Sequence, residues 1–290
     1  MKLIELIERS SARLEEAGVS FGHGTTNAFD EAVWLVLWRL GLPLDDLDSV
    51  AERELDTAEC AAVELLVTQR ISLRQPAAYL TGEAWLQGVP FYVDRHTIVP
   101  RSLIAEVLCE GVIDPWLAPA EAAAPRVLDL CTGNGSLAVL AALCWPEALI
   151  DGTDLSAEAL AVAQRNVVRH GLQDRVRLHQ GDGLAAAQGA YDLILCNPPY
   201  VNRASMQALP AEYRAEPALA LDGGADGMDF IRPLLAQAGV HLQPGGVLVL
   251  EIGHERAHFE AAFAALSPMW LSTSSGDDQV LMLTRENLVP

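Results

Sequence analysis

The sequence predicts an α/β protein: an open, mostly parallel sheet covered by helices on both faces, preceded by a small helical domain. Three observations predict it. From Arg126 onward, short apolar runs alternate with helical patterns, which is the signature of βαβ units. The first of those runs leads into a loop carrying Gly133 and Gly135, and the loop opens a helix. The first seventy-odd residues contain no such runs and read as helices.

The elements follow in chain order. LIELIERSSARLEEAG sets Leu3, Ile4, Leu6, Ile7 and Leu14 on one broad face and stops at Gly18. FDEAVWLVLWRLGLP opens with Asp30 as the expected N-cap, places Trp34 and Trp38 one turn apart, expected in the core, and stops at Gly41 and Pro43. TAECAAVELLVTQRISLRQP opens with Thr57 as a cap and closes at Pro76. Residues 1–76 are therefore expected to form the helical domain. YLTGEAWLQGVPFYVD alternates around Gly88 as a β-hairpin, and an amphipathic helix follows Pro100; together they make a connecting unit, residues 77–118. The stretch APAEAAAP reads as a linker, and residues 119–290 as the sheet domain. Within it RVLDL, ALIDGTD, RVRLHQGD, YDLILCN and GVLVLEIG are expected strands. SLAVLAALCW, SAEALAVAQRNVVRH and DFIRPLLAQAGVHL are the helices between them. SSGDD before QVLMLT predicts a closing hairpin.

Composition narrows the class. With 51% hydrophobic and 20% charged residues the chain lies near globular averages, which excludes a disordered or low-complexity protein. No apolar run reaches the roughly 18 residues of a membrane span, and acids run through the N-terminal segment, unlike a targeting peptide. A soluble, cytoplasmic protein without membrane partners is expected. The five cysteines are scattered singly and the seven histidines show no H-E-x-x-H, so no disulfide framework and no metal are expected. The net charge of −20 repels phosphate backbones, which weighs against a nucleic-acid substrate, and attracts a strongly basic protein.

In VLDLCTGNGSLAVLAAL a buried strand ends near Asp129, and Gly133 and Gly135 form the turn before a helix capped by Ser136. Gly133, Gly135 and Ala138 also satisfy G-x-G-x-x-A, so a nicotinamide-dependent oxidoreductase remains open on that pattern alone. Two features point elsewhere. Asp129 precedes the glycines on the strand, where a carboxylate meets a cationic group and repels a pyrophosphate. Asp154 stands at the tip of the second strand, placed for two ribose hydroxyls, and Asp182-Gly183 ends the third, where an adenine edge is usually read. Three acids at successive strand tips suit a nucleoside with an amino-acid tail and no phosphates, and S-adenosyl-L-methionine is that molecule.

The fourth strand runs into Asn197, Pro198, Pro199 and Tyr200 at the carboxyl edge of the sheet. An amide or exocyclic amine is a poor methyl acceptor because its lone pair is delocalised. A useful site must hold both N–H groups and aim the nitrogen at the methyl. The side-chain oxygen of Asn197 and the main-chain oxygen of Pro198 can each accept one of those hydrogens. Pro199 restricts Pro198 to an extended backbone, and Tyr200 can stack on the planar acceptor. N-P-P-Y defines this acceptor chemistry and leaves the substrate open between nucleic-acid amines and protein amides.

From about Tyr79 to Thr284 the chain resembles the HemK/PrmC/PrmB protein-glutamine methyltransferases. The resemblance rests on YLTGEAWLQGVPFYVDRHTIVPRS, DLCTGNGS, NPPYV, EYRAEPALALDGGADGMDF and GGVLVLEIG. It implies a Rossmann-like class I S-adenosylmethionine-dependent methyltransferase domain, a helical substrate-recognition domain, and transfer of a methyl group to a glutamine amide in a translation protein. The release-factor branch carries P-R-P-E-T-E after the hairpin. This chain reads PRSLIAE and is similar to the PrmB branch, which modifies ribosomal protein L three; a release factor is the alternative substrate. The resemblance assigns Asp129, Thr132, Gly133, Gly135, Asp154, Asp182, Gly183 and Asn197 to the cofactor, and Asn197, Pro198, Pro199 and Tyr200 to the glutamine. Gly183 stands where the release-factor branch often has an aromatic, so no stacking ring is expected from that position. Arg101 and Glu216 match family segments near the site without an assigned role.

Overall fold

The computed structural model describes residues 1–117 and 124–288. Most of the expected linker, residues 118–123, lies outside the described residues, as does the boundary between 118 and 119.

Five helices come first: α1 (Leu3–Glu16), α2 (Ala28–Leu40), α3 (Leu47–Val50), α4 (Thr57–Leu73) and α5 (Ala77–Thr81). α1, α2 and α4 close over a core that includes Leu3, Leu6, Ile7, Leu14, Val36 and Val63, while Ile4 is only half-buried. Both expected caps move toward the N-terminus. α2 is capped by Asn27, whose Oδ1 accepts from Asp30 N at 2.9 Å; Asp30 sits inside the first turn. α4 is capped by Asp56, which accepts from Glu59 N at 2.8 Å while the Glu59 carboxylate accepts from Asp56 N at 3.0 Å. That reciprocal pair satisfies two orphan donors, whereas Thr57 as the cap would put Cys60 at the third position, where nothing can reach back. Trp34 and Trp38 are half-buried at a seam: Trp34 packs against Ala78, Ala84, Val93 and Val99, and Trp38 against Leu35, Leu66 and Ala77.

Tyr79 to Thr81, expected in the hairpin, belong to α5; the hairpin is β1 (Glu83–Leu86) and β2 (Val89–Tyr92). Its two-residue turn, Gln87 and Gly88, has both φ angles positive at 50° and 73°, the twist that antiparallel strands favour. The buried Asn166 docks it on the sheet domain, accepting from Tyr92 N at 2.7 Å and donating to Tyr92 O at 3.0 Å. The helix expected after Pro100 is short, α6 (Ile104–Cys109), because the chain turns at Gly111 with φ +70° and passes into a 3-10 turn at Asp114–Trp116 around Pro115.

The main sheet contains β3 (Arg126–Leu130), β4 (Leu149–Asp154), β5 (Val176–Gln180), β6 (Tyr191–Cys196), β7 (Leu242–Glu251), β8 (Met269–Thr273) and β9 (Gly276–Thr284), in the order β5-β4-β3-β6-β7-β9-β8. Neighbours from β5 to β7 are parallel, and β9 runs antiparallel to β7 and β8, which is the expected closing hairpin. Helices α7 (Ser136–Cys144), α8 (Ala157–Arg169), α9 (Arg203–Ala208), α10 (Ala211–Arg214), α11 (Ile231–Ala238), α12 (Arg256–Ala262) and α13 (Arg285–Leu288) complete the chain. Each face has its own core: Val127, Leu195 and Val249 pack with α6 and α7, and Leu128, Ile194 and Leu250 pack with α11 and α12. Strands buried on both sides explain the near-continuous apolar runs.

α7 starts one residue earlier than expected in its capping: Gly135 is the N-cap with φ +80°, and Ser136 is the first helical residue. A Cβ at 135 would stand 3.1 Å from the Ala163 Cβ, so only glycine lets α7 and α8 approach this closely. The chain leaves β3 toward β4 and β5, then returns to β6 on the other side of β3, which opens a crevice beyond the carboxyl ends of β3 and β6. Among the described residues, no helix is long and apolar enough to cross a membrane.

Candidate active site

Two cavities occupy that crevice and share Ile98, Asn197 and Ala220 in their walls. The first lies over the β3, β4 and β5 tips, where Gly133, Asp154, Asp182 and Gly183 line it together with Pro199 and Phe230. The second is bounded by Pro198, Tyr200, Arg101, Tyr213 and Glu251. Asn197 therefore separates the two and faces both.

Beneath the glycine loop lies Asp129, 1% exposed. Its Oδ2 accepts from Thr132 Oγ1 and from Ala138 N at 2.9 Å, the latter at the start of α7. Its Oδ1 is buried with no hydrogen-bond partner among the described residues. Burial pushes the carboxyl up to about 7, against the two hydrogen bonds that favour its charge. Thr132 thus props Asp129 and stands behind the cavity wall, its own N–H donating to Thr153 O at 2.9 Å. Asp154 holds the loop shape: Oδ2 accepts from Gly133 N and Oδ1 from Ser156 N, both at 2.9 Å. Burial raises its carboxyl as well. Between strand and loop, Cys131 adopts φ +62°, a strained backbone for a residue with a side chain. Asp182 is exposed at the rim.

The loop after β6 is pinned from its far side, where Val201 N donates to Leu221 O at 2.8 Å and Gly223 N to Val201 O at 2.9 Å. Tyr200 is fixed on two sides. Its hydroxyl donates to Glu251 Oε1 at 3.2 Å, and a Cβ on Gly253 would fall 2.6 Å from its Cε2. Glu251 also accepts from Ser102 Oγ at 2.6 Å and Leu103 N at 2.9 Å. Burial raises its carboxyl in spite of these donors.

Relatives decide the family. The chain is 56% identical to ribosomal protein uL3 glutamine methyltransferase of Bordetella pertussis over 99% of its own length and 96% of the relative's. It is 49% identical to the protein of the same name from Burkholderia pseudomallei, over 98% and 94%. This chain belongs to the ribosomal protein uL3 glutamine methyltransferase family. Residues 117–213 match the methyltransferase small domain and residues 5–82 the PrmC N-terminal domain. Among solved structures, the hMettl16 catalytic domain in complex with a MAT2A 3'UTR hairpin superposes with a TM-score of 0.50 at 13% identity, covering 79% of this chain and 81% of that one, a likeness of fold. The protein is an enzyme, a Rossmann-like class I methyltransferase with a helical N-terminal region.

The methyltransferase fold brings together the residues that the sequence singled out. Gly133, Asp154, Asp182, Gly183 and Pro199 line the first cavity; Pro198 and Tyr200 line the second; and Asn197 lines both. Asp129, Thr132 and Gly135 stand behind the walls and shape them. Arg101 and Glu216 form a bidentate pair at 2.7 and 2.8 Å, and Glu216 also accepts from Val99 N at 2.8 Å. Burial alone would raise the Glu216 carboxyl, but the imidazole of His23, 3.5 Å away, and the Arg101 charge hold it down at about 2.

Three contributions escaped sequence reading. The Phe230 ring lies 3.9 Å from where a Cβ on Gly183 would stand and lines the first cavity, so the aromatic missing at 183 arrives from the segment before α11. Leu155, half exposed beside Asp154, lines the same cavity and belongs to no motif that marks it. His23 belongs to the helical domain yet stacks on Tyr213 of the second cavity at 4.2 Å. Its only sequence signal is a histidine in a glycine-rich loop.

Proposed function

We propose that this enzyme transfers a methyl group from S-adenosylmethionine to the side-chain amide nitrogen of a glutamine in ribosomal protein uL3. One observation carries the reading: Asn197 lines both the cavity over the β3, β4 and β5 tips and the cavity beside it. The names of the relatives support uL3 as the acceptor, and the release-factor alternative finds no support in them. A uL3 acceptor also suits the charge of −20, since ribosomal proteins are basic, and it puts the enzyme in the cytoplasm.

The residues fit the cofactor. An acceptor oxygen sealed from water and unmet by the protein, Asp129 Oδ1, suits the ammonium of an amino-acid tail. Asp154 keeps lone pairs for ribose hydroxyls beyond the two backbone bonds it accepts. Asp182, Gly183, Phe230 and Leu155 line the same cavity, and in this reading the first two meet the adenine edge and the last two its faces. Bound there, S-adenosylmethionine supplies an electrophilic methyl group on a positively charged sulfur. The side-chain oxygen of Asn197 and the carbonyl of Pro198 accept the two amide N–H bonds, which orients the nitrogen and favours its gain of positive charge. The Tyr200 ring packs on the planar amide, held for that task by Glu251. The amide nitrogen, once methylated, loses a proton to solvent, so no strong base is required. Residues 1–76, tied to the second cavity through His23, form the domain that recognises the acceptor protein in this reading.

Incubating the enzyme with methyl-tritiated cofactor and purified uL3 is expected to label one glutamine amide. Label that persists after every uL3 glutamine is replaced, or that appears on a release factor and not on uL3, would overturn the assignment.

Cofactor affinity should follow Asp129. Burial raises its carboxyl to about 7, and an incoming ammonium requires the charged carboxylate. Affinity is thus weak on the acid side and rises as pH climbs through about 7, changing roughly tenfold per pH unit below it and levelling above. Calorimetry from pH 5.5 to 8 checks this, and Asp129→Asn is expected to bind weakly with a flat profile. A flat wild-type profile counts against the ammonium contact.

A further inference from the structure

We propose that a groove on the helical domain, remote from the methyl-transfer cavities, docks a lysine- or arginine-bearing extended segment of the acceptor protein. This deepens the reading above and rests on it. The groove runs between α2, the turn before α3 and the hairpin, and is lined by Asp30, Val33, Trp34, Leu44, Asp45 and Trp85. Among the described residues, no basic side chain lines it. Trp85 is 45% exposed, and the neighbouring Phe29 is 40% exposed. Asp46 and Asp48 continue the acidic turn beyond Asp45.

Aromatic faces flanked by carboxylates are complementary to one chemistry. A lysine or arginine can lay its aliphatic stem along Trp85 and Leu44 while its cation reaches Asp30 or Asp45, and the indole face adds cation–π attraction. Phosphate is repelled here, and a purely apolar segment would leave the Asp45 and Asp30 charges, the latter bonded to the neutral Asn27 amide at 2.7 Å, without a cation. The groove also lies on a path to the reacting amide. Its wall at Gly24 lies against the Trp34 ring, 3.8 Å from where a Cβ would stand; the preceding residue, His23, stacks on Tyr213 of the second cavity. A chain whose glutamine enters that cavity can place a basic stretch across the Gly22–Thr25 loop and into the groove. Together with the excess of acids over the whole chain, this local pattern favours a basic occupant over any other protein surface.

The test measures binding of intact uL3 to the full-length enzyme by calorimetry at two salt concentrations. The variants are Trp85→Ala and Asp45→Lys, both at exposed positions, with thermal midpoints confirming the fold. Each is expected to weaken binding about tenfold at low salt, and Asp45→Lys to flatten the salt dependence. Affinity within twofold of wild type in both variants overturns the proposal. So does weakening by Trp85→Ala with no effect of Asp45→Lys, which would mark an apolar occupant. A wild type that binds uL3 in this salt-dependent way but does not methylate it would refute the acceptor assignment and leave the docking groove standing.

Discussion

Asn197→Ala is expected to cut methyl-transfer turnover by about 10²- to 10³-fold while cofactor affinity stays within a few-fold of wild type. The residue lines both cavities, so its loss would remove the group proposed to hold one acceptor N–H beside the reacting methyl. The loop itself should keep its place, because its anchors are the backbone bonds at Val201 and Gly223 and the Tyr200 hydroxyl on Glu251. Alanine therefore deletes an interaction and spares the architecture. Asn197→Asp keeps an acceptor oxygen at the same reach and is expected to retain more turnover than the alanine variant. Single-turnover kinetics with saturating uL3, alongside calorimetric cofactor binding, separates the two quantities. If alanine leaves the chemical step unchanged, Asn197 does not position the amide.

What could be read from the sequence, and what could not, follows from the range of each interaction. Asp129, Gly133 and Asp154 were legible because a strand tip and its following turn are written in one short window, and parallel topology puts successive tips side by side. The same locality made N-P-P-Y readable. The misplaced caps were also local, but more than one capping residue stood near each start: Asn27 lies three positions before Asp30, and Asp56 is next to Thr57, where the reciprocal Asp56–Glu59 geometry decides. By contrast, the Arg101–Glu216 pair joins residues 115 positions apart, and nothing near either residue announces its partner. Phe230 is the plainest case. Gly183 carries no ring, and the aromatic beside it comes from a segment whose place depends on the packing of α11 on the sheet. Asp129 shows a subtler shift of role: it was placed by pattern, while the free oxygen and the props from Thr132 and Ala138 emerge only in three dimensions.

The same dependence on long-range contacts makes Arg70 the most consequential side chain outside the cavities. It is fully buried, and its guanidinium joins three parts of the chain: Glu31 on α2 at 2.8 Å, Glu212 on α10 at 3.2 Å, and Ser20 O at 2.9 Å. Arg74 adds a second cation to Glu212 at 3.3 Å. Glu212 neighbours Tyr213, so this cluster fixes the wall of the second cavity to the helical domain. Arg70→Ala would leave Glu31 without a cation partner and Glu212 with Arg74 alone, which is expected to cost about 3–5 kcal/mol of stability. The pH dependence gives the cause away. Burial already raises the Glu31 carboxyl in the wild type, with Arg70 opposing it; without Arg70 it must rise further. A carboxyl raised above its unfolded value weakens the fold once it ionises, so the variant should lose least at acid pH, where Glu31 is protonated, and progressively more as pH rises toward neutral. Urea unfolding across that range, followed by helical signal, measures it. Cofactor affinity should survive, because the first cavity has no part in the cluster, while the KM for uL3 rises as the wall loosens. A variant equally destabilised at every pH would point to lost packing around the arginine stem, and an unchanged KM would show that α10 holds its place without the buried charges.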